Sequence, residues 1–253
     1  MNKVNKLIDI LKTKAYMKFK QKEHKGNKYN IKYVLEKNSC DKLLIVFTAC
    51  TKKGQKARYN YIRTVDDYKF NKLFILDDFG FDNRGAYYLG KDKDFKIEED
   101  VRALINKVIK DFNIKEEVYI GSSKGGYAAL YFGIERKNTT IITGAPQYNL
   151  GNYLAIPNHK EILEYIMGDS RSESINILNN LMKNQIYKNK DNNNKIFLHY
   201  STEEETFDSD LKFLVADLNK NKLNVSYDKQ SYKSHSDLTQ FFPKYIKCIL
   251  NSK

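Results

Sequence analysis

Apolar and polar positions follow two rhythms that alternate along the chain. Val4, Leu7, Ile8 and Leu11 recur at helical spacing, whereas Tyr29 to Leu35 alternates with a period of two, as a half-buried strand does. Continuous apolar runs of strand length follow at 43–48 (LLIVFT) and 73–76 (LFIL). Val101, Leu104, Ile105, Val108, Ile109 and Phe112 form one helical stripe. The pattern then predicts a strand at 118–121, a helix from Lys124 and a strand at 139–143. Helix is predicted over 159–187 with a break near 168–170, then a strand at 195–200, a helix at 208–220 and a strand at 224–230. Leu238, Phe241, Phe242, Tyr245, Ile246 and Ile249 line one face of a last helix. The low-complexity run KNKDNNNK (188–195) reads as an exposed loop.

Strands that alternate with helices predict an α/β fold with a mostly parallel central sheet covered on both faces. Such sheets carry their chemistry beyond the carboxyl ends of the strands. Here those ends fall at 48–52, 77–85, 121–125, 144–148, 201–206 and 232–237. The 253 residues contain no clear linker and no repeat, so one domain spanning 1–253 is expected, with 155–190 as a helical insertion or cap-like segment. A hydrophobic content of 41% supports a buried core. No apolar run approaches the ~20 residues of a membrane span. The N-terminal stretch, interrupted by Asp9, lacks the cleavage site of a signal peptide. Three cysteines without CxxC spacing imply a reducing, cytoplasmic setting and no structural zinc.

The sharpest chemical signal is Gly121-Ser122-Ser123-Lys124-Gly125-Gly126, a G-x-S-x-G pattern between a predicted strand and a predicted helix. Such an elbow lifts a serine Oγ above the sheet and sets it at a helix N-terminus, whose free N–H groups favour an oxyanion. Glycines flank the serine because side chains there would clash. Ser123 is therefore the candidate nucleophile. Its base should follow the last strand, where His235 stands in SYKSHSDLTQFF. His199 falls inside a strand and reads as a core residue. His24 lies in a charged N-terminal segment, and His159 lies between strands. The orienting acid should follow the preceding strand, in Ser201-Thr202-Glu203-Glu204-Glu205; Glu204 best fits the frame, with Glu205 or Glu203 as alternatives. Oxyanion donors are expected from the backbone N–H groups of Lys124, Ala49 and Cys50. Cys50 as a nucleophile has no histidine paired with it in the sequence, and reads instead as a small buried residue. Arg58, Tyr59, Arg84 and Gln147, near strand ends, are candidate substrate-binding residues.

A formal charge of +13 could attract polyanions, but lysines are spread through nearly every segment. No helix-turn-helix, RNA-binding or zinc signature accompanies the charge, so nucleic acid is an unfavoured partner. Metal-ligand spacings, the Walker spacing and GxGxxG are all absent; no metal and no cofactor are expected.

The elbow with its strand and helix resembles the α/β-hydrolase superfamily. Three segments, KARYNYIRT (56–64), DDFGFDNRGAYYLG (77–90) and YIGSSKGGYAAL (119–130), joined by GAPQYNLGNYL (144–154), resemble one bacterial branch. It includes capsular polysaccharide biosynthesis proteins of the XcbB/CpsF type and the accessory Sec-system glycan acetyltransferase. The resemblance implies a serine triad, here Ser123, His235 and, by position, Glu204. It also implies acyl chemistry on a cell-surface glycan, with possible association with a polysaccharide or secretion assembly. The expectation is a serine esterase or O-acyltransferase that takes a small-molecule ester or glycan substrate through an acyl-enzyme. The alternative is a non-catalytic glycan-binding or assembly protein on the same fold.

Overall fold

The computed structural model describes residues 3–252, with side chains from Leu11 onward; Val4, Leu7 and Ile8, expected on one helical face, have side chains outside that range. The chain opens with α1 (Lys3–Lys20), the short strand β1 (Lys22–Lys25), β2 (Asn30–Glu36) and β3 (Lys42–Phe47). A one-turn helix α2 (Ile62–Val65) precedes β4 (Asn71–Ile75). Then come α3 (Lys96–Asp111), β5 (Glu116–Ser122), α4 (Lys124–Ile134) and β6 (Thr140–Gly144). Helices α5 (Leu150–Leu154), α6 (Lys160–Met167) and α7 (Ser172–Asn189) lead to β7 (Lys195–Ser201). A π-helical turn (Phe207–Leu211) runs into α8 (Lys212–Lys220), and β8 (Asn224–Gln230) and a 3-10 turn (His235–Asp237) lead into α9 (Leu238–Asn251).

The eight strands form one sheet in the order β1-β2-β4-β3-β5-β6-β7-β8. β1 and β2 pair antiparallel, β2 meets β4 antiparallel, and every further pair is parallel. The fold is thus α/β, as the alternating rhythms predict. β3 to β6 are buried almost throughout, which is why they read as unbroken apolar runs rather than alternations. Helix α4 is buried along its whole length between the sheet and its neighbours. Gly126 and Gly133 let it approach: a Cβ on Gly126 would stand 2.8 Å from the Gly144 carbonyl oxygen.

Two segments differ from expectation. β1 (KEHK) has no apolar alternation, so only its pairing with β2 makes it a strand. The run 188–195 is only partly an exposed loop. α7 continues through Asn189, and Asn194 is buried, its Oδ1 accepting from the Thr139 N–H at 3.0 Å while its Nδ2 donates to the Ile134 carbonyl at 2.9 Å. Asn192 reaches the same carbonyl. The asparagines satisfy the end of α4, where a buried carbonyl would otherwise lack a donor. Over 155–190, α7 packs beside α4, α5 and α8 and buries Leu178, Met182 and Ile186.

Candidate active site

Because β3 to β8 run parallel, the segments that follow them meet along one edge of the sheet. Ser123 follows β5, Gln147 follows β6, Glu204 follows β7 and His235 follows β8; Ala49 and Cys50 follow β3, and Asp77 follows β4.

Ser123 turns the chain from strand to helix with φ 52° and ψ −124°, a region that L-residues rarely occupy. Its N–H donates to the Gly144 carbonyl at 2.8 Å, and its own carbonyl accepts from Tyr127 in the first turn of α4. The glycine requirement is steric. A Cβ at 121 would lie 2.0 Å from the Gly125 carbonyl oxygen, and one at 125 would lie 2.7 Å from that of Phe47. Ser122, one residue earlier, is buried and hydrogen-bonds the Tyr61 hydroxyl.

Gln147 is buried and donates from Nε2 to Ser123 Oγ at 3.4 Å; its Oε1 accepts from the Tyr87 hydroxyl at 3.3 Å. His235 and Glu204 come together: Nδ1 lies 3.3 Å from Oε2, with the Glu204 side chain wholly buried and the imidazole 21% exposed. Neither atom is aligned as a hydrogen bond, the loose geometry common before substrate binds. Thr206 donates to Glu204 Oε1 at 2.8 Å, and Glu205 accepts the His235 backbone N–H at 3.1 Å. Of the two nearest candidate acids, Glu204 thus faces the ring and Glu205 holds the main chain. The 3-10 turn that carries His235 starts at Ser234, whose side chain accepts from the Ser236 N–H.

The other expected site residues are placed less uniformly. The Ala49 N–H donates to Asn60 Oδ1 at 2.8 Å, so it is committed and not free for an oxyanion. Lys124 is the first residue of α4, where a helix leaves N–H groups without intrahelical partners. Its side chain points elsewhere: the ammonium is wholly buried, 2.7 Å from Asp77 Oδ2, and 5.3 Å over the Tyr88 ring. Asp77 also accepts the N–H groups of Ala86 (2.9 Å) and Tyr88 (3.2 Å). It therefore pins the 77–90 loop, in which Asn83, Tyr87 and Tyr88 have positive φ. Burial raises the Cys50 thiol, opposed by the nearby cations Lys124 and Arg84, so this cysteine lacks thiolate character. Arg84 is buried and spent on internal partners, Asp82 and the Asn158 carbonyl at 3.0 Å. Arg58 is exposed and Tyr59 donates to Gln21 at 3.0 Å; both line a groove beside α1 that neither Ser123 nor His235 lines.

His199 is buried as expected, packed on Tyr232, Phe242 and Tyr245, and its Nδ1 lies 2.5 Å from Asp228 Oδ2 across the β7–β8 pair. Burial lowers its pKa, and Asp228 opposes that shift. His159 was not singled out from the sequence, yet it belongs to this region. Its ring stacks on Tyr153 at 4.7 Å, and its Nδ1 is buried without a partner. Its pKa is held down at about 4, first by burial and then by the charges of Arg84 and His235. Asn60, Tyr61, Asp77 and His159 carry no role in the sequence reading, because nothing in the sequence states which groups they meet in the fold. Among the described residues no group of three or more His, Cys, Asp or Glu side chains could hold a metal ion.

No family model matches the chain, and no curated protein matches it in sequence. Solved structures do resemble it. A capsule O-acetyltransferase of Neisseria meningitidis serogroup A superposes with a TM-score of 0.75 at 23% identity, covering 90% of this chain and 93% of that one. A histidine-to-alanine mutant of that enzyme, solved in complex with CoA, has a TM-score of 0.73 at 22% identity, with coverages of 91% and 94%. A chain of a glycosylation-associated protein complex from Streptococcus agalactiae gives 0.75 at 19% identity; the match covers 92% of this chain but 46% of that one. The fluorophosphonate-binding serine hydrolase F of Staphylococcus aureus gives 0.63 at 11% identity, with coverages of 91% and 96%. At these identities the likeness establishes the α/β-hydrolase fold.

Proposed function

We propose that this protein is a serine esterase or O-acyltransferase that works through a Ser123 acyl-enzyme on a cell-surface glycan or a polysaccharide-related ester. The observation that carries this reading is the backbone of Ser123. Strain of that kind is retained where it serves a site, and here it sets a hydroxyl at the head of α4, at the carboxyl end of the sheet. The contact between His235 and Glu204 supports the same reading.

In the proposed reaction, His235 takes the Ser123 proton as the oxygen attacks the acyl carbonyl. Glu204 orients the ring and stabilises the imidazolium. The oxyanion is met by the N–H groups of Lys124 and Cys50 and by Gln147 Nε2, which replaces the committed Ala49 N–H. The imidazolium then protonates the leaving group, and the acyl ester passes to a sugar hydroxyl or to water. A CoA thioester is the donor to test first, because a neighbour in fold was solved with CoA. The glycan acceptor rests on the motif resemblance and on the capsule and glycosylation neighbours.

The test is labelling by a fluorophosphonate probe, read by intact mass. The expected result is one adduct on the wild type, none on Ser123→Ala and slow labelling of His235→Ala. A folded wild type that never reacts would favour the second reading, a glycan-binding or assembly protein on this fold. With labelling established, acetyl-CoA and p-nitrophenyl acetate with and without oligosaccharide acceptors separate transfer from hydrolysis.

A further inference from the structure

Helix α1 carries six lysines against one acid, and from Leu11 onward its outward side bears an apolar stripe. Met17 is its buried anchor, packed into the core near β2. About half a turn away around the helix, at i, i+4 and i+8, stand Leu11, Ala15 and Phe19, all exposed. Leu11 is 56% exposed and Phe19 85%, the largest value among the exposed large hydrophobic residues. This stripe prolongs the apolar face read from the sequence at residues 4–11. Lys12 and Lys20 stand on one side of it, Lys18 and Lys14 on the other, and all four are exposed. A helix whose apolar stripe faced only its own protein would show the opposite arrangement.

The surroundings extend the same pattern. α1 is a ridge between two grooves, of about 860 and 560 Å³, which share Thr13, Ile62 and Arg63. Ten lysines and arginines line them, against two acids, Glu36 and Asp66. Glu36 lies 3.3 Å from the Lys72 ammonium, which further reduces the negative charge on offer. The sign of the whole molecule agrees, at +13.

We propose that α1 docks this protein onto an anionic bilayer surface. Leu11, Ala15 and Phe19 enter the boundary between headgroups and acyl chains, while the flanking lysines and the basic grooves take the headgroup phosphates. The apolar crest supplies burial and the lysine flanks supply the charge that selects anionic lipid. Among the described residues no helix is long and apolar enough to cross a membrane. An exposed apolar crest alone would serve a second copy of the chain equally well. The lysines on both flanks oppose that occupant, since two such ridges would bring like charges together. The proposal stands whether or not Ser123 is a nucleophile.

Co-sedimentation of the full chain with unilamellar vesicles tests it. Vesicles of phosphatidylcholine alone are compared with phosphatidylcholine containing phosphatidylglycerol. The expected result is pelleting with the anionic vesicles only, weakened by salt. Phe19→Ser should lower partitioning about ten-fold, as loss of one buried aromatic side chain implies. Lys12→Glu with Lys18→Glu should abolish it. These side chains are exposed, so thermal melting of the variants should match the wild type. Absence of binding to anionic vesicles, equal binding to neutral ones, or binding untouched by Phe19→Ser would each overturn the proposal. So would a concentration-dependent dimer in sedimentation that Phe19→Ser dissolves, because that would assign the crest to a second copy.

Discussion

At the scale of single residues, the strongest statements concern atoms whose partners are already committed. Gln147 presents Nε2 to Ser123 Oγ while its Oε1 accepts from Tyr87, and the Ala49 N–H that would otherwise serve the oxyanion is held by Asn60. Gln147→Ala should therefore lower kcat for ester turnover by about 10²-fold with little change in KM, the usual loss for one oxyanion donor. Steady-state kinetics with p-nitrophenyl acetate would measure both constants; a change confined to KM would make Gln147 a binding residue only. His159 gives a pH prediction. Its pKa falls from the usual 6.5 to about 4 on folding, chiefly through burial. The unfolded chain thus binds a proton that the folded protein refuses, and stability falls as the pH drops from 6.5 towards 4. In urea titrations between those pH values, His159→Gln should flatten that limb, while above pH 7 its pH slope should match the wild type.

At the scale of elements, the β5–α4 elbow and the 77–90 loop are bound into one unit by a buried charge. Lys124 and Asp77 are both wholly inaccessible, and Asp77 also holds two loop N–H groups. Removing one partner strands the other in a low-dielectric interior. Lys124→Met should cost about 3–5 kcal/mol in urea denaturation, and adding Asp77→Asn should recover part of that loss. The elbow itself tolerates no side chain two residues before the serine. Gly121→Ala forces a Cβ against the Gly125 carbonyl, so it should cost about 1–3 kcal/mol and abolish probe labelling. Recovery of full labelling in a folded Gly121→Ala protein would show that the turn can relax without losing the serine's position.

At the scale of the molecule, the parallel sheet gathers residues from six loops along one edge, while the grooves beside α1 are lined by neither Ser123 nor His235. The two should be separable. Arg58→Ala lies in the groove and should leave ester turnover within about two-fold of wild type, since exposed substitutions away from a site change little. A loss beyond ten-fold would join the groove to the reaction.

How much of this was legible beforehand follows from the range of the interactions. Binary patterning located the seven longer strands and the helices of the sheet layers, because each must bury a face with its own period. The elbow was legible because G-x-S-x-G encodes a local steric demand between strand and helix. The same local logic singled out His235 and Glu204 from their order after β8 and β7, and the fold brings these two within 3.3 Å of each other. Strand β1 was not legible, because KEHK becomes a strand only through its partner. Nor were the Asp77–Lys124 pair, the Asn60 and Gln147 contacts, the role of Asn194 or the inclusion of His159, since each joins groups far apart in sequence. The sequence by itself determined the elements, the strand-end segments where chemistry could sit, and the strained turn at Ser123. The tertiary structure alone decided which N–H groups and charges were already spent and which face of α1 was left to solvent. Those outcomes depend on which distant atoms become neighbours, and spacing along the chain does not specify that.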